Sequence, residues 1–85
     1  MNDNAVLESI IRILSENVEI EVDKGVQPSD NLRNHGIDSV ALMALTVYIE
    51  NEFDISMDEI YEFEMDNITF KDLIELVNKE LEVKK

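Results

Sequence analysis

Eighty-five residues without a cysteine imply one small domain that relies on neither disulfides nor thiolate metal sites, and His35, the single histidine, rules out a histidine-rich one. Twenty acidic residues against seven basic ones give a formal net charge of −13, which excludes the phosphate-neutralising surface of a nucleic-acid binder and attraction to anionic membranes. A hydrophobic content of 45% at regular spacing excludes the disorder that such acidity would otherwise imply.

The first predicted helix covers residues 4–17. Val6, Leu7, Ile10, Ile11 and Leu14 recur at helical spacing, and Asp3 or Asn4 is placed to cap its start. Periodicity then fades over residues 18–38, where Gly25, Pro28, Ser29, Asp30, Asn31 and Gly36 accumulate. A loop of that length is expected to be functional or to carry a helical turn, with Val18, Ile20, Val22, Val26 and Leu32 tacking it to the core. The alternating run from Val18 to Val22 also fits a strand, but nothing else in the chain offers a strand partner.

The second helix is predicted over Ser39–Phe53, with Asp38 or Ser39 as its cap and Leu42, Leu45, Thr46, Ile49 and Phe53 as its buried stripe. A short third helix is expected over residues 57–63, carrying Ile60, Tyr61 and Phe63. The fourth begins after Thr69, where Thr69 and Asp72 form a capping box with Asp in place of Glu. Leu73, Ile74, Val77 and Leu81 supply its buried stripe, and Lys84 and Lys85 suit its negative end. The expected architecture is one all-α domain over residues 1–85: a four-helix bundle with a long first loop and a short third helix.

The second helix is anomalous. No charged residue falls between Ser39 and Ile49, although 32% of the chain is charged. Once the core stripe is assigned, Val40, Met43, Ala44 and Val47 remain on a second apolar face. A domain this small cannot bury that helix twice, so the face is expected to dock a partner; a third helix leaning on it is the competing reading. From Asn34 to Phe70 there are nine acids and no Lys or Arg, eight of the acids lying between Glu50 and Asp66. Without local cations these carboxylates predict a partner site lined with Arg and Lys around an apolar groove.

Asp30-Asn31-Leu32-Arg33-Asn34-His35-Gly36-Ile37-Asp38-Ser39-Val40 resembles the attachment segment of the acyl and peptidyl carrier protein family, with its Gly-x-Asp-Ser before the second helix. Glu50-Asn51-Glu52-Phe53-Asp54-Ile55 and Asn67-Ile68-Thr69 resemble that family's helix-two ending and last-helix entry. The resemblance spans about Val6 to Leu81. It implies that Ser39 carries a 4′-phosphopantetheine arm, attached by a phosphopantetheinyl transferase with coenzyme A as donor. Asp38 is then a recognition residue for that transferase. By the same analogy Val40, Met43, Ala44 and Val47 are partner contacts, and Glu50, Asp58, Glu59 and Glu62 form their acidic rim. The partners implied are acyl- or aminoacyl-loading and downstream biosynthetic enzymes with basic docking surfaces.

Ala41 and Ala44 stand where fatty-acid-synthesis carriers usually place acids, and His35 stands where a leucine is common. These departures favour a carrier of a polyketide, nonribosomal-peptide or similar pathway over a housekeeping fatty-acid one. An unloaded adaptor that keeps the fold is the alternative from another class. No Asp-x-Asp-x-Asp-Gly run supports a calcium site, and no nucleophile–base pair supports an enzyme. The start of the chain lacks a signal-peptide pattern, and no apolar run approaches the roughly 20 residues that span a bilayer. A discrete, monomeric cytoplasmic protein without a metal is expected.

Overall fold

A computed structural model describes residues 2–84; Lys85, placed by the sequence at the last helix end, lies outside them. Three α-helices form the frame: α1 (Asp3–Ile13), α2 (Ser39–Phe53) and α3 (Phe70–Lys84). Among the described residues there is no strand, only an isolated antiparallel bridge between Asn31 and Thr69. The all-α expectation is met, with one difference. The third helical segment is not a short α-helix but a 3-10 turn, Asp58–Glu62, followed by another over Met65–Asn67. Its bonds run from Ile60 N–H to the Met57 carbonyl and from Phe63 N–H to the Ile60 carbonyl, the three-residue spacing natural to so brief a segment.

α1 starts earlier than expected, because Asn2 is the cap: its Oδ1 accepts from Asn4 and Ala5 N–H, at 2.7 and 3.3 Å. Val6, Ile10, Ile13 and Leu14 are buried, while Leu7 and Ile11 are half-buried. The stripe is thus rotated toward Ile13. The helix runs on as a π turn, Leu14–Val18, and stops at Glu19, whose φ of 62° is left-handed.

The long loop is packed rather than free. Leu32 is fully buried, and Val18, Ile20, Val22 and Val26 lie half-buried against the core. The loop also satisfies donors that the start of α3 would leave orphaned: Lys71 and Phe70 N–H donate to the Pro28 and Asp30 carbonyls, at 2.7 and 3.2 Å. Thr69 and Asp72 complete the capping box, Thr69 N–H to Asp72 Oδ2 at 2.9 Å and Asp72 N–H to Thr69 Oγ1 at 3.2 Å. From α3 the buried side chains are Phe70, Leu73, Ile74, Leu76 and Val77, with Leu81 at the edge.

The acidic segment is less bare than its sequence implies. Arg12, Arg33, Lys79 and Lys84 reach in from other elements to Glu52, Asp66, Glu59 and Asp54 respectively. Four of the nine carboxylates that lack local cations thus find partners outside the segment, distant in sequence and adjacent in space. Lys84 serves a helix end as expected, but that of α2, donating to the Phe53 carbonyl at 3.3 Å. The net charge of −13 remains. Added salt, which at about 0.1 M screens beyond ~10 Å, is expected to raise the melting temperature by weakening self-repulsion. A fall in a salt-dependent thermal melt would show that the ion pairs outweigh that repulsion.

Candidate functional site

The approach to α2 is set residue by residue. The 3-10 turn Leu32–His35 ends at Gly36, whose φ of 83° is one that side chains with a Cβ rarely adopt. A Cβ there would meet nothing within 4 Å, so the demand for glycine is conformational and not one of space. Ile37, fully buried, donates its N–H to the Leu32 carbonyl at 3.2 Å and pins the chain one step before the helix. Asp38 is the N-cap: Oδ1 accepts from Ala41 N–H at 2.9 Å and its carbonyl from Leu42 N–H at 2.9 Å. Ser39 is the first helical residue, exposed, with its side chain in no hydrogen bond. The N–H groups of Ser39 and Val40 have no protein acceptor either. An anion esterified to Ser39 would thus meet two unpaired donors at the positive end of the helix dipole.

His35, the last residue of that 3-10 turn, is half-buried. Its Nε2 lies 3.0 Å from Asp30 Oδ2, and its ring meets Phe70 edge-on with centroids 5.5 Å apart. Asp30 also accepts from Gln27 N–H at 3.0 Å. That bond first, then the one with His35, holds the Asp30 carboxyl below the ordinary aspartate range. Its ionised form therefore stabilises the fold in full above the ordinary value of about 3.9. The contribution is lost as pH falls through the lower folded value. Asp30→Asn is expected to melt below the parent protein at neutral pH, with the gap closing below about pH 4. A gap that is unchanged in acid would assign the loss to packing and not to the carboxylate.

Beside Ser39 an apolar cavity of about 200 Å³ opens between α2 and the segment 60–65. Leu42, Met43, Ile60, Tyr61, Phe63 and Met65 form most of its wall. The Thr46 hydroxyl, also in the wall, is already spent on the Met43 carbonyl at 2.8 Å. Sequence reasoning missed this cavity. Its signal was the run of large apolar side chains, Tyr61, Phe63 and Met65, set among acids.

The second face of α2 stands open at Val40 and Val47, with Met43 at the mouth of the cavity. Val40, Met43 and Val47 are 77%, 56% and 53% exposed, while Ala44 is half-buried. The rim residues are not equivalent. Glu50 is half-buried and its Oε2 accepts from Met57 N–H at 2.8 Å, bracing the turn after α2. Glu59 is paired with Lys79, whereas Asp58 and Glu62 are exposed and form no ion pair among the described residues. Among the described residues no group of three or more His, Cys, Asp or Glu is arranged to hold a metal ion, and no helix is long and apolar enough to cross a membrane.

A helical scaffold that presents an exposed serine at a capped helix start, with free backbone donors and an apolar cavity at its side, is built to carry a group rather than to transform one. The family model described as "Phosphopantetheine attachment site" matches residues 8–77, and the chain belongs to that family. Among solved structures the chain is similar to the acyl carrier protein of Thermotoga maritima, at 25% identity and a TM-score of 0.85, over 100% of this chain and 96% of that one. No curated protein matches it. The chain is a carrier of phosphopantetheine-bound acyl groups and not a catalyst, and its cofactor is covalently held on a serine.

Proposed function

We propose that Ser39 is the attachment serine, and that the protein delivers an acyl or aminoacyl group between biosynthetic enzymes. The observation that carries this is the geometry at the head of α2: an exposed hydroxyl at the first helical position, two unpaired N–H groups, and the cavity opening beside it. The arm's terminal thiol supplies the thioester chemistry. The chain's own residues hold the arm's phosphate end at the helix start and offer its cargo an apolar wall. Asp38 has two roles in this reading, as helix cap and as a recognition residue for the phosphopantetheinyl transferase. Incubation with coenzyme A and a broad-specificity transferase tests the proposal by mass spectrometry. One phosphopantetheine per chain, mapped to the peptide containing Ser39, is expected, and an unmodified protein would sink it.

Partner enzymes dock on Val40, Met43, Ala44 and Val47, with carboxylates drawn from Glu50, Asp58, Glu59 and Glu62 at the edge meeting a basic surface. A monomeric cytoplasmic protein suits that role. The pathway we favour is a specialised one, polyketide, nonribosomal-peptide or similar, because α2 carries Ala41 and Ala44 where fatty-acid carriers usually place acids. The loaded protein is then expected to be a poor substrate for housekeeping fatty-acid enzymes. Turnover equal to that of a fatty-acid carrier would return it to the housekeeping role.

A further inference from the structure

The acidic rim does not form one edge. On a 3-10 turn, side chains three residues apart stand one above another, which sets Asp58 with Tyr61 and Glu59 with Glu62 along Asp58–Glu62. Tyr61 lines the cavity beside Ser39 and is 69% exposed. Glu59 instead lines a separate groove against α3, with Leu76 and Lys79. There Lys79 Nζ donates to both Glu59 carboxylate oxygens, at 2.8 and 2.9 Å. That hydrogen bond, and next the charge of Glu59, hold the Lys79 ammonium above the ordinary lysine range, with Glu62 adding a smaller charge effect. Glu62 lines a further groove with Asp72, also on the α3 side. Asp58 alone of the three acids on this turn is exposed, unpaired and on the side of Tyr61.

We infer that a partner enzyme with a basic docking surface reads Asp58 and Tyr61 beside the open face of α2, and that Lys79 withholds Glu59 from it. This rests on the carrier reading above and narrows it to particular residues. The occupant follows from charge complementarity: a protein surface that sets an Arg or Lys beside an apolar patch. An arginine suits the pair best, because its guanidinium bonds a carboxylate and stacks on an aromatic ring. For Glu59 to take part, the partner's cation must first displace Lys79. The pair is exposed, so that competition is worth roughly two- to fivefold and not more.

Steady-state kinetics of a phosphopantetheinyl transferase with a basic docking surface, at saturating coenzyme A, test this. Asp58→Asn and Tyr61→Ala are expected to raise KM about three- to tenfold with kcat unchanged. Lys79→Gln lowers KM about two- to fivefold, and adding Glu59→Gln to it restores the parent value. Lys24→Gln is the control for net charge, because Lys24 is exposed and makes no ion pair among the described residues. The inference is overturned if the Lys79→Gln, Glu59→Gln double variant raises KM as much as Asp58→Asn, or if Lys79→Gln does no more than Lys24→Gln. A parent protein that is not modified at all would overturn the carrier reading, and this inference with it.

Discussion

Ser39→Ala is expected to abolish phosphopantetheine attachment completely while leaving the melting temperature within about 2 °C of the parent, as befits an exposed site outside the core. The two halves have separate causes. The attachment oxygen is removed, so no phosphodiester forms at this position. Stability is spared because Ser39 is not the cap of α2: Asp38 accepts from Ala41 N–H, and the Ser39 hydroxyl bonds to nothing. Alanine is the best helix former, so the first turn of α2 gains if anything. Asp38→Ala behaves in the opposite way on the stability axis. It leaves the hydroxyl in place but removes the cap, at a cost of about 1 kcal/mol, or roughly 4–8 °C for a domain of this size. Mass spectrometry after transferase treatment, beside thermal melts of both variants, separates the roles. A mass gain surviving in Ser39→Ala would move the attachment site, and the exposed Ser29 and Ser56 would be next to examine.

How far the sequence carries depends on whether the relevant partners are local. α2 is legible to the residue, because the uncharged run Ser39–Ile49 follows a capping Asp38 and the apolar stripe ends at Phe53, one residue before the left-handed Asp54, whose φ is 55°. The capping box of α3 is legible for the same reason: Thr69 and Asp72 are three residues apart, and each side chain accepts from the other's N–H. Ile13 and Leu76 are buried without having been singled out. Each widens a stripe that a minimal helical template leaves narrow, and which flank is covered depends on how the neighbouring helix crosses. The third helical segment was legible as an element but not as a 3-10 turn, since composition does not separate the two helices over five residues.

Non-local electrostatics were the least legible feature. The span from Asn34 to Phe70 contains no Lys or Arg, yet Arg12, Arg33, Lys79 and Lys84 all place a cation on its acids. Nothing in the local sequence announces those pairings, and they decide which carboxylates are left for a partner. The site shows the same division. Gly36, Asp38 and Ser39 form one contiguous motif and were readable. The cavity joins Met43 on α2 to Tyr61, Phe63 and Met65 across a turn, and only the fold brings them together.

Phe70→Ala is expected to destabilise the protein by about 3–5 kcal/mol, the usual range for emptying a fully buried aromatic site. Against a total stability of roughly 5–15 kcal/mol for a domain, that leaves little margin at 37 °C. The loss reaches beyond packing volume. Phe70 is fully buried at the first position of α3, its N–H is bonded to the Asp30 carbonyl, and its ring makes a T-shaped contact with that of His35. Removing the ring withdraws the support under the loop that carries Asp30 and His35, and this loop leads through Gly36 to the attachment serine. Urea denaturation should show a lower midpoint at an unchanged slope, the mark of lost stability without a changed unfolded state. Combining it with His35→Ala should give less than the sum of the single losses, by about 0.5–1.5 kcal/mol for an aromatic pair. Strict additivity would mean that His35 holds the loop through Asp30 alone. A loss below about 1.5 kcal/mol for Phe70→Ala would mean that the loop collapses into the vacated space, well under the cost of a rigid cavity.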